Sequence, residues 1–230
     1  MTTTNFPNGV NNNTKQNILG SYTDTDPTAN HTYFTDFDDY RLSNWTVTVV
    51  GTSTQALTDE DGGVLLVTNS AADDDSLFAQ NLGEDFQMEA GKQAYFKARF
   101  KVSDATQSDL VMGLQITDTT PLDASDGIFF RKDDGDTNLD FVVVKDSTAS
   151  TAIATTLSDD TYITVAFFYN GDDKIIYAAG TDSKNPTIQG SLDTTNLPDD
   201  EVLTVSYGVQ NGEAVAKTMS IDYIFAAKER

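Results

Sequence analysis

From Tyr33 onward, apolar and polar side chains alternate in short bursts, each ended by a cluster of Asp, Gly or Asn. A period of two is the signature of a strand with one buried and one wetted face. The clearest case is Tyr95 to Val102, which predicts Phe96, Ala98, Phe100 and Val102 inward and Tyr95, Lys97, Arg99 and Lys101 outward. Trp45, Val47 and Val49 share one face against threonines, Leu110, Met112, Leu114 and Ile116 form another inward row, and Val64 to Thr68 follows a Gly62-Gly63 turn. Ile128 to Lys132 and Leu139 to Lys145 flank Asp133-Asp134-Gly135-Asp136 and read as a hairpin. Tyr162 to Tyr169 and Lys174 to Ala179 read the same way across Asn170-Gly171. Val202 to Val209 and Lys217 to Ala226 are expected to meet across Asn211-Gly212, with Tyr207, Tyr223 and Phe225 on one side. This spacing predicts about 11 to 13 strands, no helix beyond a turn or two, and an all-β, two-sheet antiparallel sandwich of jelly-roll type.

Composition supports that reading. Of 36 acidic residues, 30 are Asp, which is poor in helix and strand interiors and favoured in turns. Against 14 Lys and Arg they leave a formal charge of -22, which repels phosphate backbones, so neither nucleic acid nor an anionic membrane is an expected partner. With no Cys there is no disulfide, thiolate zinc site or cysteine nucleophile, and the single His31 excludes a multi-histidine metal site. No apolar run approaches the length of a membrane span, and Met1 to Gly9 has neither the basic start nor the apolar stretch of a secretory signal.

No constellation for catalysis stands out. A glycosidase needs two carboxylates across the scissile bond. The strands so read carry only the isolated Asp140 and Asp222, the six glutamates fall in expected turns or ends, and no Glu-x-Asp-x-Glu occurs. Asp133 to Asn138 lacks the spacing and terminal Glu of a calcium-binding EF-hand, so the Asp clusters read as solvated turns, and no cofactor is expected. Trp45 reads as core rather than as a sugar-stacking platform.

Two regions point toward partners. Residues 1–32 are polar and cannot build a core of their own, but Asn5, Phe6, Pro7, Val10, Ile18, Leu19 and Tyr22 supply spaced anchors for an extended arm, with 33–230 as one sandwich domain. The row Lys97, Arg99 and Lys101 sets three of the 14 basic residues side by side, either pairing within its own sheet or contacting a neighbouring subunit.

The segment Thr3 to Val10 resembles the start of tailed-bacteriophage virion proteins. Lys217 to Arg230 resembles the closing strand of phage structural proteins with a concanavalin-like jelly roll, and Gly91 to Asp104 and Gly127 to Lys132 fit the same pattern. The resemblance implies a non-enzymatic capsid decoration (cement) protein on the outer surface of the virion. It would be made in the bacterial cytoplasm, bound to the phage major capsid protein and assembled as a homo-oligomer, with a trimer expected from shell symmetry. The alternative implied is a lectin-like, carbohydrate-binding module at the phage surface or tail that contacts the host.

Overall fold

The computed structural model describes residues 28–60 and 62–230. Among these lie β1 (Asn30–Thr35), β2 (Trp45–Val50), β3 (Ser53–Thr58), β4 (Val64–Asn69), β5 (Ser76–Asn81), β6 (Phe86–Gln87), β7 (Ala94–Val102) and β8 (Ser108–Gln115). The chain continues with β9 (Gly127–Lys132), β10 (Asn138–Lys145), β11 (Thr148–Thr156), β12 (Ile163–Tyr169), β13 (Lys174–Gly180), β14 (Thr187–Asp193), β15 (Val202–Asn211) and β16 (Thr218–Glu229). Only two three-residue 3-10 turns, Leu42–Asn44 and Pro121–Asp123, interrupt them, and no helix among the described residues is long and apolar enough to cross a membrane.

The strands make two antiparallel sheets. The first runs β11-β10-β9-β8-β15-β5-β2, with β6 on β15; the second runs β14-β13-β12-β7-β16-β4-β3, with β1 on β16. Their inner faces interdigitate as alternation requires. Phe96 stacks on Phe167 at 5.4 Å within the second sheet, and Phe141 of the first bridges to Phe167 at 5.8 Å and Phe130 at 5.1 Å. Each of these buried rings contributes about 2–3 kcal/mol by leaving water.

Both Asp-Gly and Asn-Gly hairpins form as expected, pairing β9 with β10 and β12 with β13. Two expectations are corrected. β15 and β16 are not a hairpin: β15 lies between β8 and β5 in the first sheet, and β16 lies between β7 and β4 in the second, so the Gly212 to Lys217 link crosses the sandwich. Local pattern does not distinguish the cases, because both strands put an apolar face into the same core. The second correction follows from a bulge. The pairing of β16 with β7 skips Asp222, which reverses parity, so Ile224 and Ala226 are buried in the core while Tyr223 and Phe225 face outward. The strand β1 also begins inside the stretch expected to be arm and pairs Asn30 to Thr35 with Glu229 to Ile224.

Each sheet carries a second, smaller apolar cluster on its outer face. On the first sheet it consists of Phe78, Val111, Phe129, Val142 and Val144, roofed by Leu122. Gly113 permits this packing, since a Cβ there would lie 2.4 Å from the Phe129 Cα.

Candidate functional site

Among the described residues, one side of the sandwich is open. The first sheet ends in β2, which pairs with β5, and the second ends in β3, which pairs with β4. Between the two edges lies a cleft of about 440 Å³ lined by Tyr40, Leu42, Trp45, Val49, Ser53 and Gln55, among others. Leu42 and Val49 are exposed there.

The loop that delivers Tyr40 is seated by Phe37. That residue takes φ 52°, costly for a bulky side chain, and its ring is buried beside Tyr40 at 6.3 Å. Gly63 lets the β3–β4 turn pass under it, since a Cβ there would come within 2.6 Å of the Asp36 and Phe37 carbonyl oxygens.

Behind the cleft stands an aromatic cluster. Trp45 stacks on Tyr40 at 6.3 Å and meets Tyr207 at 4.9 Å and Tyr33 at 6.3 Å edge to face. The hydroxyls of Tyr40 and Tyr207 both donate to Gln55 Oε1 at 2.7 Å. The Gln55 Nε2 has no hydrogen-bond partner among the described residues, which leaves an amide donor at the cleft. Burial raises the Tyr40 and Tyr207 phenols above the usual tyrosine pKa and pushes Tyr33 up to about 12. All three are neutral at physiological pH. An aromatic wall with uncharged donors and acceptors suits a neutral polyhydroxylated ligand, and the lining includes no carboxylate or imidazole to serve as a general base.

The expected partner residues lie elsewhere. Lys97, Arg99 and Lys101 project from the outer face of the second sheet, as the alternation requires, but Lys97 is only 7% exposed. Its Nζ donates to the Lys184 carbonyl at 2.6 Å, and Arg99 pairs with Asp222 while lying 4.1 Å over the Tyr162 ring. Lys101 covers the same ring at 4.8 Å. Much of the row is therefore engaged within its own chain. Asn5, Phe6, Pro7, Val10, Ile18, Leu19 and Tyr22 lie outside the described residues. Trp45 is core at 8% exposure, as read from its pattern, with one edge reaching the cleft. Tyr40, Gln55 and Tyr207 were not singled out, because no periodicity links residues 15 and 152 positions apart in hydrogen bonding.

On the strands of the first sheet, Asp109 and Asp140 are the outward acids among the described residues, and Arg131 stands beside Asp140 in register. Between them and the open side, the face is filled by the Phe129 cluster and a loop that Gln80 and Gln115 tie down through the Ile116 and Pro121 carbonyls. His31 lies 3.6 Å from Asp85 and edge-on to Phe86.

The Asp-rich turns are engaged by backbone. Asp136 accepts from Asn138 N–H, Asp182 from Lys184 and Asn185, and Asp193 from Thr195, which lowers the Asp182 and Asp193 pKa values. Among the described residues no group of three His, Asp or Glu is placed to hold a metal ion. Thermal unfolding in excess EDTA should accordingly match that in added calcium within about 2 °C, whereas a fall of about 10 °C with chelator would reveal a structural cation.

No family model matches the chain, and no curated protein matches it significantly. Solved structures do. A protein of unknown function from Shewanella oneidensis MR-1 is 21% identical with a TM-score of 0.63, over 92% of this chain and 91% of that one. Peanut lectin is 9% identical at 0.57 over 86% and 97%, and an endo-1,3-β-glucanase from Streptomyces sioyaensis is 11% identical at 0.59 over 90% and 99%. The fold is a concanavalin-like jelly roll. At these identities the likeness extends to architecture alone, since one sandwich hosts unrelated activities.

Proposed function

We propose that this chain is a non-catalytic carbohydrate-binding module and that the open-edge cleft receives the sugar. The observation that carries the reading is the Tyr40–Trp45 stack beside the Gln55 amide: the C–H face of a sugar packs on such a wall while its hydroxyls meet neutral donors. Lectins and glucanases among the structural neighbours support a saccharide as the ligand class. The lone Asp109 and Asp140 beside Arg131 favour binding without hydrolysis.

Trp45, the sole tryptophan, reports on its own site. Titration with a panel of oligosaccharides that includes β-1,3-gluco-oligosaccharides should shift its fluorescence, with Kd of about 10 μM to 1 mM for at least one glycan. Tyr40→Ala and Gln55→Ala should each weaken that binding about tenfold, or ~1.4 kcal/mol. A panel that leaves the emission unchanged, or a Tyr40→Ala variant with full affinity, overturns the reading; reducing sugar released from any of these glycans overturns its non-catalytic part.

The setting we favour is a phage surface facing its host. This rests on the likeness of Thr3 to Val10 and Lys217 to Arg230 to virion proteins. Capsid decoration by a trimer rests on the same segments, and no feature of the described fold adds to it.

A further inference from the structure

Of the four strands that end the two sheet paths, β11 is the longest, and its backbone edge is bare. It pairs on one side with β10, and no other backbone hydrogen bond reaches Thr148–Thr156 among the described residues. A row of free N–H and C=O groups is a template for another strand, so edges are commonly protected by charge, Pro or a bulge. β14 has such protection: Pro186 precedes it, Gln189 is skipped in its middle, and Asp193 closes it. β2 and β3 border the cleft already described. β11 holds no charge, Pro or Gly, and the uncharged run extends from Ser147 to Ser158 in a chain of net charge -22. Its one bulge, which skips Ala154, leaves a regular stretch from Thr148 to Ile153.

The outward side chains of this stretch are neutral. Ala149 and Thr151 stand opposite Val144 and Val142 of the outer cluster, and Ile153, opposite Asp140, is 59% exposed. Charge and symmetry select a second copy as the occupant of this edge. Two bodies of charge -22 repel wherever their acids face each other, so they meet at least cost where both surfaces are uncharged. An antiparallel pair of identical strands is related by a two-fold axis normal to the sheet, which keeps outer face beside outer face. Ala149, Thr151 and Ile153 are centred on Thr151, so Thr151 lies on that axis and Ile153 faces Ala149 across it.

We propose that two copies of this chain associate through antiparallel pairing of β11 with β11, which joins their first sheets into one continuous sheet. A contact of this self-complementary kind closes at two copies, so the assembly is a dimer. The inference is independent of the glycan reading, because β2, at the cleft, is the opposite edge of that sheet.

Light scattering on the full chain at about 50 μM should return twice the 25.0 kDa chain mass. Association should tighten about tenfold between about 10 mM and about 300 mM NaCl, because salt screens the repulsion of the two acidic bodies. A contact made by Lys97, Arg99 and Lys101 with a neighbour's acids would weaken instead, and that result overturns the proposal. Thr151→Asp/Ile153→Asp, at two exposed positions, should give a folded monomer, whereas Ile188→Asp on the β14 edge should leave the dimer intact. The chain has no Cys, so a single introduced thiol reports on the axis. Thr151→Cys should cross-link two full-length chains on oxidation with diamide, since residues directly opposite in an antiparallel pair lie about 5 Å apart. Ile188→Cys should not. A monomer in the unaltered chain at every salt concentration overturns the proposal, as does a dimer that survives the aspartate pair or leaves Thr151→Cys without a cross-link.

Discussion

Lys132→Met is expected to destabilise the domain by about 3 kcal/mol, a fall in Tm of roughly 10 °C for a chain of this size. The Lys132 side chain is fully buried at the end of β9. Its ammonium donates to the Thr106 and Asp133 carbonyls at 3.0 Å and to that of Ser108, so one cation ties the β7–β8 loop to the Asp133–Asp136 turn. Burial lowers its pKa, while Asp109, Asp136, Asp134 and Asp104 act in the opposite direction. Asp134 and Asp136, from the turn weighed as a calcium loop, are thus partly neutralised by a lysine of the chain itself. Methionine keeps the apolar stem but leaves three carbonyls without their shared donor and the acids without their nearest cation. Lys101→Met, on the outer face over Tyr162, is the control and should cost less than about 1 kcal/mol. Urea denaturation measures both, and equal losses from the two variants would refute the account.

How far the sequence carried the fold depends on burial. The central strands were legible because half their residues are apolar and fully enclosed, as in β7, where Phe96, Ala98 and Phe100 are all at 0%. Three of the four sheet margins were not. Ser53–Thr58, Thr148–Thr156 and Thr187–Asp193 are edge strands whose faces are largely exposed, so threonine, serine and alanine replace the alternation that marks a strand. The bulge at Asp222 was equally invisible, since one skipped residue leaves composition unchanged while reversing which side chains meet the core. The cleft was missed although one of the edges that form it, β2, was read as a strand. Trp45 was visible as core, but Tyr40, Gln55 and Tyr207 converge only when β2 and β3 close opposite sheets. The turn role of aspartate, by contrast, could be read directly, because an Asp carboxylate two residues before a free N–H needs no tertiary context.

Lys217→Met should cost about 3 kcal/mol at neutral pH, and that cost should itself depend on pH. Lys217 is 3% exposed, and its Nζ reaches Asp104 at 2.6 Å and Glu213 at 2.7 Å, fastening the start of β16 to the β7–β8 loop. Partial burial pushes the Asp104 carboxyl up, but the Gln107 N–H, the Lys217 ammonium and the Thr106 N–H outweigh it, and its pKa falls from 3.8 to about 2. A carboxyl with a lower pKa folded than unfolded stabilises the fold above the unfolded value and loses that contribution as pH falls through the folded one. For Asp104 the window runs from about pH 4 to about pH 2 and amounts to at most about 2 kcal/mol, less what water screens from a partly exposed group. Asp104→Asn should therefore be less stable than the parent at pH 7 and converge with it near pH 2. At the other end, burial lowers the Lys217 pKa but Asp104 and Glu213 raise it further, so its contribution persists below the unfolded lysine value of 10.5 and fades as pH rises through the folded one. Stability measured from pH 2 to 11 should show the parent and Lys217→Met farthest apart between these limits. Parallel curves across the whole range would mean that the pair holds the strand through packing rather than charge.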